Sequence, residues 1–163
     1  MKSSDKTRVL FVCLGNICRS PTAHGVFASM VAEQGLGHIV EVDSCGTGGW
    51  HVGEPPDARA TAEAMKRGYD LSPLRARQLV PGDFQRFDYM LGMDRSNLAD
   101  IQAMCPEGYK GHAGLFLSFA PGQRETEVPD PYYGAGSGFT HVLDLVEQAS
   151  AGLLEDIVRA RQA

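Results

Sequence analysis

The sequence has no apolar run long enough to span a bilayer, and its opening stretch, MKSSDKTR, is too polar for a secretory signal. No membrane span or exported precursor is expected, and the chain is read as cytoplasmic, with secretion by a route needing no signal peptide left open. Positive charge is scarce: 15 Lys and Arg stand against 20 Asp and Glu, a net charge of -5. The basic residues are scattered along the sequence, so neither nucleic acid nor an anionic membrane is expected as the main partner. Cysteine is sparse as well. Cys13, Cys18, Cys45 and Cys105 fit no paired C-x-x-C zinc spacing, and a chain this large and apolar needs no disulfide framework. Each is read as a free thiol, with Cys105 structural. His24, His38, His51, His112 and His141 show no metal-ligand spacing and are read as structural or solvated. Repeats, low-complexity tracts and interdomain linkers are absent too.

What is present is ordinary globular composition, 43% hydrophobic and 21% charged over 163 residues. The expected organisation is a flexible tail over residues 1–7 and one domain over 8–163. Arg8–Cys13 is nearly all apolar, as in a buried parallel strand. Ala23, Val26, Phe27, Met30 and Val31 then repeat at helical period, with Ser20 as N-cap, Pro21 in the first turn, and Gly35 and Gly37 as the stop. Ile39–Ser44 reads as a second strand. Asp57 caps a helix expected to present Ala58, Ala62, Met65 and Tyr69 on one face. Phe87–Met93 is a third strand, and Asp94 or Ser96 caps a short helix after it. Ala113–Phe119 is a fourth strand, and a last helix runs from Phe139. Strands alternating with helices imply an α/β fold, a doubly wound four-stranded parallel sheet with helices on both faces. In such sheets ligands bind beyond the carboxyl ends of the strands.

At that edge stands Val9–Ala23, VLFVCLGNICRSPTA. A cysteine attacks as the thiolate, which a helix N-terminus, a nearby arginine and converging N–H groups all favour. The same features bind the non-bridging oxygens of a phosphoryl group. Cys13 is thus the candidate nucleophile, and Arg19 is a planar fork for two phosphate oxygens. Leu14, Gly15, Asn16, Ile17, Cys18 and Ser20 complete the loop; Asn16 tolerates left-handed backbone. Ser20 is placed to support the leaving thiolate. Phosphocysteine chemistry needs a proton donor for the leaving oxygen. Asp130, stiffened by Pro129 and Pro131 in the long loop Ala120–Gly138, is the candidate, and it can later activate water. Trp50, Tyr132 and Tyr133 are expected to wall a cleft deep enough for an aryl phosphate.

The run from Cys13 to Pro21 resembles the phosphate loop of the low-molecular-weight protein tyrosine phosphatases. Ser44-Cys-Gly-Thr, Leu71-Ser-Pro-Leu-Arg-Ala-Arg, Met93-Asp-Arg-Ser-Asn-Leu and Asp130-Pro-Tyr-Tyr follow in the family's order. The resemblance implies a flavodoxin-like fold and phosphotyrosine hydrolysis through Cys13, Arg19 and Asp130. It implies Asn16, Ser20 and Ser44 as hydrogen-bond partners shaping the loop. It implies no metal and no organic cofactor. Phosphotyrosine-bearing proteins are the expected substrates, inorganic phosphate or similar oxyanions the product or inhibitor, and a monomer or weak dimer the working form. Cys18 keeps two readings: a small apolar residue under the loop, or a resolving thiol forming a reversible disulfide with oxidised Cys13, which the resemblance favours. Leu74 stands where many animal members carry histidine, and Cys45 where alanine is usual; Cys45 is given no role. Arsenate reduction needs further clustered late cysteines, and Cys105 stands alone. Ile17 and Tyr132 favour phosphotyrosine over phosphoarginine. A phosphate-reading module without turnover would lack Cys13 or Asp130, and both are present.

Overall fold

The computed structural model describes residues 6–120, 122, 125–131 and 137–162. Four strands, β1 (Thr7–Cys13), β2 (Val40–Gly46), β3 (Tyr89–Gly92) and β4 (His112–Leu115), form one sheet in the order β2-β1-β3-β4. Every pairing is parallel. The chain passes from β1 outward to β2, then back across to β3, so the order switches between β1 and β3. The carboxyl end of β1, where Cys13 stands, lies at that switch.

Helices α1 (Arg19–Glu33), α2 (Ala58–Met65), α3 (Asp83–Arg86), α4 (Arg95–Met104) and α5 (Ser137–Gln162) supply the layers. Side chains alternate faces along a strand, and β1 is covered on both. Val9 and Phe11 enter one core with α1 and α5. Leu10 and Val12 enter a second with Phe84, Phe87 and Ile101. Phe11 is wedged edge-on between Phe27 (5.7 Å) and Phe116 (4.8 Å), a geometry worth about 0.5–1.5 kcal/mol per pair beyond area burial. Among the described residues no helix is long and apolar enough to cross a membrane.

Three local expectations are corrected. The fourth strand ends at Leu115, and Phe116–Phe119 form a 3₁₀ turn. β3 offers only Tyr89–Gly92 for pairing, so the chain leaves the sheet and drops Phe116 into the core instead. On α2, Ala60 and Ala64 are buried while Ala58, Ala62 and Met65 face outward; alanine suits either face and gives periodicity little to register. Ser20 does not cap α1: the N-cap position is Cys18, with no side-chain hydrogen bond. The Ser20 hydroxyl is turned toward Cys13.

Candidate active site

The loop between β1 and α1 curls back over the end of the strand. Asn16 makes this possible with a left-handed backbone, φ 58°, tolerable for asparagine. Its side chain is buried and spoken for at both ends: Nδ2 donates to Ser20 Oγ (2.8 Å), and Oδ1 accepts from the Arg77 N–H (3.0 Å). The loop backbone is fastened to the strip after β2, where Thr47 N–H donates to the Cys13 carbonyl and Gly48 N–H to the Leu14 carbonyl, both 2.9 Å. A further N–H, from Asp57, reaches the Ile17 carbonyl at 2.7 Å.

Inside this ring the Cys13 thiol is 3% exposed. The Asn16 N–H donates to Sγ at 3.2 Å, and Ser20 Oγ lies 3.0 Å away. Both groups can donate to a thiolate. Ser20 also reaches the Cys45 carbonyl at 3.3 Å, which gives Cys45 a backbone contact to the network. Because no side chain caps α1, its first-turn amides stay directed at the loop, where an anion would sit.

Arg19 is buried, and its aim is fixed from behind. Nη1 donates to Asp94 Oδ2 (2.7 Å) and to the Val128 carbonyl (3.1 Å), while Nη2 is 3.8 Å from Asp130 Oδ2. Asp94 does double duty. Its Oδ1 accepts from Asn97 N–H in the capping box that starts α4. The sequence marked it only as a cap; an aspartate directly after a strand at the binding edge of the sheet was the available signal. Val128 N–H also donates to the Met93 carbonyl at 2.7 Å, so the segment leading to Asp130 is pinned to the end of β3.

These residues enclose a cavity of about 330 Å³ lined by Cys13, Leu14, Gly15, Ile17, Cys18, Arg19, Trp50, His51 and Asp130. It therefore brings together the proposed nucleophile, phosphate fork, proton donor and the aromatic Trp50. Trp50 is 71% exposed and forms rim rather than floor; its ring lies over Gly48, where any Cβ would collide with the indole. Sequence reasoning missed His51, whose ring packs on Gly15 and whose Nδ1 pairs with Glu54 Oε1 at 3.0 Å. Ser44 does not join the loop network. Its hydroxyl pairs with His24 Nδ1 at 2.9 Å because α1 passes directly over that end of β2. Tyr132 and Tyr133 lie outside the described residues. Burial, reinforced by Asp57, Asp130 and Cys13, pushes the Cys18 thiol up to about 12, so it is held as the protonated thiol near neutrality. Among the described residues no cluster of His, Cys, Asp and Glu could hold a metal ion. The converging donors suit an oxyanion.

Residues 8–163 match the family model described as low molecular weight phosphotyrosine protein phosphatase. The chain is 45% identical to a low molecular weight protein-tyrosine-phosphatase of Streptomyces coelicolor, over 90% of this chain and 91% of that one. It is 40% identical to the low molecular weight phosphotyrosine protein phosphatase of Homo sapiens, over 90% and 93%. Its fold superposes on a crystal structure of a protein tyrosine phosphatase from Entamoeba histolytica with a TM-score of 0.91 at 37% identity, covering 96% of this chain and 99% of that one.

Proposed function

The chain belongs to the low molecular weight phosphotyrosine protein phosphatase family, and from that premise we propose that it hydrolyses phosphotyrosine in proteins through a phosphocysteine on Cys13. The observation that carries this reading is the setting of Sγ, with the Asn16 N–H at 3.2 Å and Ser20 Oγ at 3.0 Å at the floor of an open cavity. In the first step the thiolate attacks phosphorus, the S–P bond forms and the P–O bond to tyrosine breaks. Arg19 and the loop amides hold the equatorial oxygens, over which the charge is spread in the transition state. Asp130 gives its proton to the departing phenolate oxygen. In the second step Asp130 takes a proton from water, water attacks phosphorus, and the S–P bond breaks. Ser20 and Asn16 then receive the thiolate by hydrogen bonding.

Trp50 at the rim offers an apolar wall to the substrate ring. Inorganic phosphate is the product and a competing ligand. Cys18 keeps both readings: a small apolar residue under the loop, in line with its burial and raised pKa, or the resolving thiol that attacks the sulfenic acid formed when peroxide oxidises Cys13, closing a disulfide and releasing water. The site of action is the cytoplasm, and the working form is a monomer or weak dimer. The test is phosphate release from an aryl phosphate at about pH 6, with a metal chelator present. Wild type turns over, Cys13→Ser is inactive, and Asp130→Ala is slower by roughly 10²–10⁴. Activity retained in Cys13→Ser, or wild-type turnover lost to the chelator, would overturn the mechanism.

A further inference from the structure

At the opposite, amino-terminal end of the sheet the start of β1, the Phe84–Tyr89 segment, the Tyr109–Gly111 turn and the end of α5 enclose a second concavity of about 420 Å³. From Arg8 to Cys13 the strand runs about 17 Å at roughly 3.3 Å per residue, so this groove is separate from the Cys13 site. Its charge is unlike the rest of the molecule. Lys6, Arg8, Arg86, Lys110 and Arg161 line it, and among the described residues Asp88 is its one acidic residue. That is five of the 15 Lys and Arg in a chain whose acids outnumber its bases. The Asp88 carboxylate is already used, accepting the Arg8 N–H at 2.8 Å. Two carboxylates among the described residues stand close by without lining the groove: Glu41, 3.6 Å from Arg8 Nε, and Asp156, which accepts the Tyr89 hydroxyl at 3.2 Å. Lys6, Arg86 and Lys110 make no ion pair among the described residues.

We propose that this groove is a second anion site, built for a compact polyphosphate anion. Cations gathered in a concavity repel one another, a cost relieved when an anion binds. Arg8 is paired with Glu41 and Arg161 Nη1 donates to Thr7 Oγ1 at 2.9 Å, so the anion would draw on Lys6, Arg86 and Lys110, and a chain of two or three phosphates carries charge enough to engage all three. The net negative charge elsewhere disfavours a long nucleic acid or a membrane surface, and the concave shape favours a small ligand. The shared chemistry is the phosphate chain, either a free condensed phosphate or that of a nucleotide.

The experiment is calorimetric titration with inorganic tripolyphosphate, and in parallel with adenosine triphosphate, at low and high salt. Four proteins are compared: wild type, Arg86→Glu/Lys110→Glu, the milder Lys110→Gln, and Arg19→Ala, which cripples the loop site. The expected result is salt-sensitive binding by wild type and Arg19→Ala. Affinity falls by about tenfold or more in the double variant and by less in Lys110→Gln, with aryl phosphate turnover unchanged in both. Tighter binding of the nucleotide identifies a nucleotide as the source; equal or weaker binding identifies a free condensed phosphate. Binding that survives in the double variant but vanishes in Arg19→Ala assigns it to the Cys13 loop and overturns the proposal, as does no binding to wild type at about 1 mM.

Discussion

Arg77 reaches the phosphate loop through its backbone while its charge is held elsewhere. Its N–H donates to Asn16 Oδ1 at 3.0 Å, and its guanidinium is gripped by Asp83, 3.1 Å at each of two nitrogens, and by Asp43 at 3.1 Å. Asp83 is fully buried. The chain of contact then runs from Asn16 to Ser20 to Cys13. A guanidinium fixed by two carboxylates has one position, and so does the peptide it carries. We predict that Arg77→Met lowers kcat by about tenfold to a hundredfold with little change in KM, because the loop loses its template and not a ligand contact. Stopped-flow or steady-state kinetics on an aryl phosphate checks this. Asp83→Asn should reproduce part of the loss, and an equal rise in KM would contradict a purely positioning role.

Asp94 holds two partners with two oxygens, so its roles can be separated. Asparagine is as good an N-cap as aspartate, and Asp94→Asn keeps the bond to Asn97 N–H while removing the charge against Arg19. Asp94→Asn sets its Nδ2 against Arg19 Nη1, donor facing donor, so its Tm should fall through that contact alone, whereas Asp94→Ala loses the cap as well and about 1 kcal/mol more with it. Both should weaken inhibition by inorganic phosphate, since Arg19 Nη1 loses its charged anchor. Thermal melts and phosphate inhibition constants measured side by side decide this. A fall in Tm for Asp94→Asn as large as that for Asp94→Ala would mean the ion pair, not the cap, is what α4 needs.

The β1–loop–α1 unit was legible because each part carried its own local signal: an apolar run for the strand, a tolerant asparagine for the turn, and helical periodicity after Pro21. The four-stranded parallel sheet and the clustering of Cys13, Arg19 and Asp130 at its carboxyl edge followed from those signals together with the family pattern, whereas the order β2-β1-β3-β4 did not, because a strand's own residues do not name its neighbour. What escaped were effects set by partners distant in sequence. Phe116–Phe119 has the composition of a strand, but the neighbouring strand is too short to pair with it. Ser20 has the chemistry of a cap, but Cys13, Asn16 and Cys45 claim its hydroxyl. His51 enters the site only through the folding of a separate loop and has no spacing that announces it, while Asp94 carried only the weak signal of its place directly after a strand.

His24 packs against β2 with Nδ1 on the Ser44 hydroxyl. Burial lowers its pKa below the ordinary value near 6.5, Arg77 adds to this, and Asp43 opposes it. In the unfolded chain the ring takes its proton at about 6.5, so below that pH the unfolded state binds more protons than the native state. Stability contributed by keeping His24 neutral is therefore complete above about pH 6.5 and is lost as pH falls below it. Thermal melts at about pH 7.5 and about pH 5.5 should show a larger drop for wild type than for His24→Gln, which keeps a hydrogen-bonding amide without the titration. Parallel drops would assign the pH dependence to other groups.

Gly46 is the residue the loop cannot do without. It pairs with Cys13 in the β1–β2 register, and the loop crosses directly above it. A Cβ there would stand 2.7 Å from the Leu14 carbonyl oxygen, 3.0 Å from the Gly15 carbonyl carbon and 3.1 Å from the Asn16 nitrogen. All three are backbone atoms, so no side chain can rotate away and the loop itself must lift. Its N–H and carbonyl also bind the far strip, donating to Arg77 O at 2.9 Å and accepting from Leu79 N–H at 2.8 Å, which prevents the glycine from sinking instead. Lifting the Asn16 amide moves a donor away from Sγ and away from the phosphate oxygens. A shift of about 1 Å in a positioned group costs on the order of 10² in rate. Gly46→Ala is therefore expected to fold, since the rest of the sheet is untouched, and to lose about a hundredfold in kcat/KM. Circular dichroism and aryl phosphate kinetics on the same preparation check both halves. Full activity in Gly46→Ala would mean that the loop tolerates displacement and that the amide at Asn16 is not part of the thiolate's environment during turnover.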